Sequence, residues 1–163
     1  FDGDADGLYT EYAEDAPVQT PYTYTLDGLY VGDQPQTAYV LGTTLTPMDG
    51  LRLQGIFKMY DKNYADWSPD SRELSGDADR TQVWQAPGYN RLDLHASYKL
   101  PKIAGYDMTL TGHVFNALDA VYVQDAVDNS QYNGYGDKLH LPHNAEVFLG
   151  TPRYANIGLV VNF

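Results

Sequence analysis

Apolar and polar residues alternate along five stretches of the chain, a pattern typical of β-strands that have one apolar and one polar face. The clearest example is 91–100, where the alternating apolar positions are Leu92, Leu94, Ala96, Tyr98 and Leu100. Similar alternation predicts strands over 37–46, 51–60, 108–114 and 156–163, and a further strand or hairpin arm over 22–31. The pattern therefore predicts an all-β fold of antiparallel strands.

The last stretch, 156–163, ends the sequence on an aromatic residue. Ile157, Leu159, Val161 and Phe163 alternate with mostly polar or small residues, as expected of a strand whose outer face meets lipid. The spacing polar-x-Gly-x-x-apolar-x-aromatic resembles the terminal signal by which the bacterial barrel assembly machinery recognises its clients. This assembly signal would comprise Asn156, Gly158, Val161 and Phe163.

The lengths of the strands and loops favour a membrane barrel. A strand of about ten residues extends roughly 33 Å, which is enough to cross an outer membrane at a tilt of about 45°. The turns at 47–50 and 101–105 are short, whereas the loops at 68–88 and 119–151 are long. Outer-membrane barrels place short turns in the periplasm and long loops outside the cell. The chain is therefore predicted to form about five strands of a transmembrane antiparallel β-barrel with long extracellular loops.

Composition narrows the choice of partner and compartment. The chain has 163 residues, a formal net charge of -12 and no Cys. The negative charge argues against nucleic acid as a partner, because phosphates would be repelled. Without Cys there is neither a disulfide nor a thiolate zinc site. No apolar run approaches the roughly 18 residues of a membrane helix, but barrel strands need none.

The first segment is acidic and suggests calcium. Asp2, Asp4 and Asp6 alternate with small residues, as at the start of an EF-hand loop. The Glu that this loop requires at its twelfth position is replaced by Ala13, and Glu14 comes one residue late. The alternatives are an irregular Ca²⁺ site and a solvated acidic loop. Residues 1–35 are predicted to form an extracellular loop or hairpin, and 36–163 the C-terminal strands of the barrel.

A second set of residues falls on the predicted inner face of the strands, where a lumen or substrate path would lie. Its members are Arg52, Lys58, Arg91, His95 and His113. The cations either line a solute path or pair with Asp93 and with other acids. The two imidazoles either are tolerated polar residues or hold a metal or haem iron. No spacing typical of a nucleophile and its base stands out, so we expect no enzyme.

Four segments, in this order, resemble the C-terminal strands of TonB-dependent outer-membrane receptors, most of all those of Bacteroidetes-type bacteria. They are Gly-Leu-Tyr-Val-Gly-Asp-Gln-Pro-Gln-Thr at 28–37, Tyr-Ala-Asp-Trp-Ser-Pro at 64–69, Tyr-Asn-Arg-Leu-Asp-Leu at 89–94 and Val-Phe-Asn-Ala-Leu-Asp at 114–119. Gly-Thr-Pro-Arg at 150–153 is also similar. The fourth segment departs from the usual Asn-Leu-Phe-Asp at Ala117 and Leu118.

The resemblance implies a barrel of about 22 strands around a plug domain, of which this chain would be the last quarter. It implies uptake of a nutrient such as a siderophore, glycan or peptide, driven from the inner membrane by TonB acting on an upstream plug. The partners that the resemblance implies are outer-membrane lipid, lipopolysaccharide, the barrel assembly machinery and, optionally, a surface lipoprotein. The alternatives are a small self-standing barrel acting as an adhesin or pore, and a soluble β-sandwich that binds carbohydrate.

We expect deletion of Phe163 to lower the amount of folded protein in the outer membrane several-fold, because the terminal ring completes the assembly signal. Heat-modifiability on gels of outer-membrane fractions measures folded barrel. Deletion of Ser75 in the long polar loop 68–88 serves as the control and should leave the yield unchanged. An equal yield from the Phe163 deletion would contradict the proposed signal.

Overall fold

The computed structural model describes residues 8–11, 20–23, 26–69, 81–102, 104–130 and 139–162. The chain divides into two compact units. We call the first the loop unit; it comprises Phe1–Gln34, Tyr64–Ala86 and Asp125–Val147. We call the second the sheet unit; it comprises Pro35–Asn63, Pro87–Gln124 and Phe148–Phe163.

The sheet unit is built on five antiparallel strands. They are β3 (Pro35–Met48), β4 (Leu51–Tyr64), β6 (Tyr89–Lys99), β7 (Asp107–Phe115) and β10 (Tyr154–Asn162). Their order across the sheet is β10-β7-β6-β4-β3, so each pairs with the next one along this series. The prediction of antiparallel strands in these five stretches is confirmed, and β3 and β4 are longer than the alternation alone indicated.

The register places apolar side chains on one face of this sheet. Leu94 of β6 lies opposite Gly55 of β4 and Val114 of β7, and Leu159 of β10 lies opposite Leu110. Directly opposed residues point to the same face. We call this surface the apolar face; its larger members are Tyr39, Leu41, Leu45, Leu53, Phe57, Met59, Leu92, Leu94, Met108, Leu110, Val114, Ile157, Leu159 and Val161.

The apolar face is open. Leu94 is 41% exposed, Leu159 56% and Ile157 82%. Exposed apolar patches on soluble monomers rarely exceed a few hundred Å². A face that extends across five strands and exposes this many large side chains therefore requires an apolar neighbour.

The connections between these strands differ in length and position. Asp49 and Gly50 alone join β3 to β4, with a positive φ of 79° at Gly50 that glycine adopts without strain. Residues 100–106 join β6 to β7 at the end of the sheet where the β3–β4 turn lies. The connections 65–88 and 116–153 start at the opposite end of the sheet. Over the described ranges no helix is long and apolar enough to cross a membrane.

The loop unit contains short strands. β1 (Leu8–Glu11) pairs with β2 (Thr20–Thr23) as an antiparallel hairpin. A parallel bridge joins Asp66 to Val127, with Asp66 N donating to Ala126 O at 2.6 Å and Asp128 N donating to Asp66 O at 2.8 Å. The other strands within the described ranges are β5 (Gln85–Ala86), β8 (Val123–Asp128) and β9 (Ala145–Leu149), of which β8 and β9 pair with each other. A 3₁₀ turn spans Pro142–Asn144.

Two local predictions were wrong. The strand expected over 22–31 does not continue through 26–31, because Leu29 N donates to Leu26 O and Gly28 takes a positive φ of 79°, which makes a turn. The loop expected over 119–151 contains β8 and β9. One face of β8 carries Val123, Asp125 and Val127 and the other Gln124, Ala126 and Asp128, so the strand lacks the alternation of apolar and polar residues that marks a half-buried strand.

One glycine allows close packing within the sheet unit. Tyr122 is 5% exposed and its ring stacks on Tyr89, with 4.2 Å between the centroids. A Cβ at Gly150 would lie 1.9 Å from Cζ of Tyr122, so only glycine leaves room for this ring. The approach also brings Gly150 N within 2.9 Å of Tyr122 O, to which it donates.

We expect Gly150→Ala to destabilise the protein by about 1–3 kcal/mol, because the added methyl displaces the Tyr122 ring from its stack. Denaturant unfolding, followed by intrinsic fluorescence, measures the change. Gly42→Ala is the matched control, because nothing lies within 4 Å of a Cβ there. Equal stability of the two variants would contradict the packing role of Gly150.

Candidate functional site

The five residues predicted to face a lumen share the face of the sheet opposite the apolar one. Lys58 lies opposite Arg91, and His95 lies opposite His113. Arg52 lies six residues before Lys58 on β4 and so points the same way. We call this surface the polar face. Its role as a substrate path stays a prediction.

Asp93 is the centre of the charged part of the polar face and is 2% exposed. Its Oδ2 accepts a hydrogen bond from Lys58 Nζ at 2.9 Å, and its Oδ1 accepts one from Asn116 N at 3.0 Å. Arg91 adds a longer ion pair, with 3.8 Å between its guanidinium nitrogen and Oδ1. The cations at Lys58 and Arg91 thus share one buried carboxylate, as the pairing alternative predicted.

Asn116 extends this network into the connection that follows β7. It is fully buried and adopts a positive φ of 49°, a conformation that Asn tolerates better than most residues. Its Nδ2 donates to Ala120 O at 2.9 Å and to Thr151 O at 3.2 Å, and its Oδ1 accepts from Ala120 N at 3.0 Å. Asn116 therefore ties the ends of the connection together beside Asp93. The sequence alone did not single it out as structural.

His95 and His113 meet on the polar face. Their Nδ1 atoms are 2.8 Å apart and their ring centroids 5.0 Å apart, and both rings are half-buried. Phe115 packs edge-on against His95, with 5.4 Å between centroids, and stacks on Tyr154 at 4.7 Å. The contact expected from pairing about the 101–105 turn is therefore present, and Phe115 also stacks on His113, with 6.1 Å between the centroids.

The histidines are part of a polar row that crosses the sheet. The register aligns Thr44, Gln54, His95, His113 and Asn156. Gln54 Nε2 donates to Thr44 Oγ1 at 3.3 Å. A cavity of about 170 Å³ opens beside the pair and is lined by Arg52, Gln54, His95, Ala96, Ser97 and His113. It is large enough for a small ion together with several water molecules.

A buried polar cluster lies in the loop unit. Asp128 Oδ1 accepts a hydrogen bond from Ser130 Oγ at 2.5 Å, and Asp128 Oδ2 lies 2.7 Å from His140 Nδ1. All three residues are more than nine-tenths buried. The carboxylate, not the imidazole, contacts the hydroxyl, which is not the order in which a His activates a Ser nucleophile. The cluster joins Asp128 and Ser130 to His140, and it was not predicted from the sequence.

A second acidic group in the loop unit consists of Asp33, Asp66 and Asp125. Asp33 is mostly exposed, but partial burial and the negative charges of Asp66 and Asp125 raise its pKa above the ordinary value of 3.8. Asp33 therefore takes up a proton more readily than an isolated Asp. The group was not singled out from the sequence, because its members are far apart along the chain.

Some predicted residues fall outside the described ranges, namely Asp2, Asp4, Asp6 and Phe163. The other members of the expected assembly signal lie on β10, where Asn156 faces His113, Gly158 faces Thr111 and Val161 faces Met108. In the part of the chain that the structure describes, no group of three or more His, Asp or Glu side chains is arranged to hold a metal ion.

Comparison with protein-family models, with curated proteins and with solved structures found no match to this chain.

We expect Asp93→Asn to lower the free energy of unfolding by about 2–3 kcal/mol, because the cations at Lys58 and Arg91 lose their shared buried partner. Denaturant unfolding measures the loss. The matched control is Asp107→Asn, whose ion pair with Lys102 spans 3.2 Å but is exposed on both sides, with 67% and 38% of the side chains accessible. That pair should contribute less than about 1 kcal/mol. Similar losses in the two variants would contradict the central role of Asp93.

Proposed function

We propose that the chain is the C-terminal barrel segment of a TonB-dependent outer-membrane transporter that takes up a nutrient with energy from the inner membrane. The observation that carries the proposal is the five-stranded sheet with one exposed apolar face and one polar face. The apolar face would contact lipid and the polar face would line the interior of the barrel. Selection of the nutrient would depend on parts of the transporter upstream of this segment.

The energetics of the apolar face support a lipid neighbour. Each Å² of apolar surface left in water forgoes roughly 25 cal/mol relative to burial. The exposed side chains include Leu41 at 74%, Leu45 at 59% and Ile157 at 82%. Hydrocarbon would remove this surface from water without a second protein layer. The aligned strands, each of at least nine residues, match the thickness of an outer membrane.

The polar face supports an aqueous interior. Asp93, Lys58 and Arg91 form a paired cluster, and Arg52 and the histidines border a polar cavity. Charged residues at the level of the membrane core require partners or water. In a barrel both are available on the inner side of the wall. The polar face is therefore suited to contact the plug domain or a passing solute.

The family assignment within membrane barrels is supported by the ordered sequence resemblance. The segment at 116–119 is informative, because Asn116 and Asp119 make the structural contacts there. Asn116 organises the connection, and Asp119 Oδ1 accepts from Arg153 N at 3.1 Å. The two departures from the usual Asn-Leu-Phe-Asp are Ala117 and Leu118, and Leu118 is 53% exposed. The two departures therefore leave Asn116 and Asp119 unchanged, and these are the side chains that hold the segment together.

The soluble sandwich fits these observations less well. It predicts that the apolar rows are buried against a second sheet, whereas Leu94 and Leu159 are 41% and 56% exposed. A membrane barrel predicts that exposure. It also predicts that consecutive residues along one strand alternate between lipid and water.

Site-directed spin labelling tests the proposal, and the absence of native Cys makes single labels simple to place. We expect labels at Ile157→Cys and Leu110→Cys to be relaxed by molecular oxygen, which concentrates in lipid. The adjacent controls, Asn156→Cys and Thr111→Cys, should instead be relaxed by a water-soluble nickel chelate. The protein is labelled in outer-membrane vesicles, and power-saturation EPR gives the accessibilities. Equal water accessibility at all four positions would overturn the membrane assignment.

A further inference from the structure

From the geometry of the His95–His113 pair, we propose that it binds a divalent transition-metal ion through both Nδ1 atoms, with Cu²⁺ as the preferred ion. The pair lies at directly opposed positions of two adjacent strands, so the backbone fixes its spacing. Neutral imidazole nitrogen is a good ligand for Cu²⁺, Ni²⁺ and Zn²⁺. The inference needs only the sheet unit and is therefore independent of the membrane assignment.

The distance between the two Nδ1 atoms favours ions of one coordination geometry over others. The two Nδ1 atoms are 2.8 Å apart. With metal–imidazole bonds of roughly 2.0–2.1 Å, this separation corresponds to an angle of about 85° at the ion. That angle suits neighbouring positions of a square-planar or tetragonal ion, as Cu²⁺ and Ni²⁺ prefer, better than the tetrahedral angle of zinc. Among divalent ions of this series Cu²⁺ also binds nitrogen ligands most tightly.

The surroundings can complete the coordination. Gln54 lies opposite His95 on the neighbouring strand and lines the same cavity of about 170 Å³. Its Nε2 donates to Thr44 Oγ1, which leaves the amide oxygen as a ligand for the ion. The cavity also has room for water molecules in the remaining positions. The ion would thus have two imidazole nitrogens, an amide oxygen and water.

The nearby charges limit the affinity without preventing binding. Arg52 lines the cavity and repels a cation, but its side chain is exposed, so water and salt screen that repulsion. Asp93 lies two residues before His95 and contributes negative charge, which Lys58 and Arg91 share. The site is therefore expected to be of moderate affinity, with its selectivity set by the two imidazoles.

Without metal the same geometry makes a hydrogen bond. At 2.8 Å one neutral imidazole donates its Nδ1–H to the Nδ1 lone pair of the other. When both Nδ1 atoms bind the ion, the donor ring carries its proton on Nε2 instead. Between neutral imidazoles this exchange changes only the tautomer of the donor ring. Phe115, packed against His95, keeps that ring in place in either state.

Continuous-wave EPR of the purified full chain with one equivalent of CuCl₂ tests the proposal. We expect an axial Cu²⁺ spectrum with hyperfine splitting from two equivalent imidazole nitrogens. His95→Gln and His113→Gln should each reduce the splitting to that of one nitrogen and weaken Cu²⁺ binding at least tenfold in a competition titration. Binding should follow the order Cu²⁺, then Ni²⁺, then Zn²⁺.

His143→Gln is the matched control, because it removes an exposed imidazole of the loop unit and should leave the spectrum unchanged. Far-UV circular dichroism verifies that each variant keeps its sheet. The wild-type spectrum alone is decisive if a variant fails to fold: fewer than two nitrogens there would overturn the proposal. Persistence of the two-nitrogen pattern in both folded variants, or its loss in His143→Gln, would do the same.

Discussion

The register of the five-stranded sheet is the constraint on which the rest of the molecule depends. Side chains alternate between the two faces, so a shift of one residue in any pairing would move a whole strand's apolar set to the polar face. In the observed register, Leu94 lies beside Gly55 and Val114, while Asp93 and His95 meet polar partners on the opposite face. The same pairing thus places the apolar face on one side of the sheet and the charged and imidazole groups on the other.

The buried contacts of Asp93 secure this register where it matters for the polar face. Lys58 on the neighbouring strand and the backbone of Asn116 both bind its carboxylate, so the side chain connects two strands and the connection that follows a third. A carboxylate with fewer partners would be costly at 2% exposure. The charged cluster is therefore a structural element in which one carboxylate offsets part of the positive charge of two cations.

The alternation in the sequence predicted the five sheet strands, their faces and the proximity of His95 to His113. Each of these depends on a period of two that any half-buried strand must obey, and on a short turn that fixes the partner. Features that depend on distant contacts were not predicted. Asn116 belongs to the distinctive segment at 114–119, but its structural role was not predicted, because that role depends on Ala120 and Thr151. The Asp128, Ser130 and His140 cluster and the strands β8 and β9 were missed because neither a period nor a local spacing marks them.

The connections between the sheet strands differ in length, and this difference sets the order in which the strand pairs form during folding. Closing a longer loop costs more chain entropy, roughly 1.5 kcal/mol more for residues 116–153 than for residues 100–106. The hairpins β3–β4 and β6–β7 therefore have the lowest entropic barriers, and we expect them to form before the seam between β4 and β6. The two histidines lie within one hairpin, whereas Lys58 and Asp93 lie on opposite sides of the seam. The imidazole pair is therefore expected to form early, within one hairpin. The Lys58–Asp93 ion pair is expected to form later, when the two halves of the sheet join.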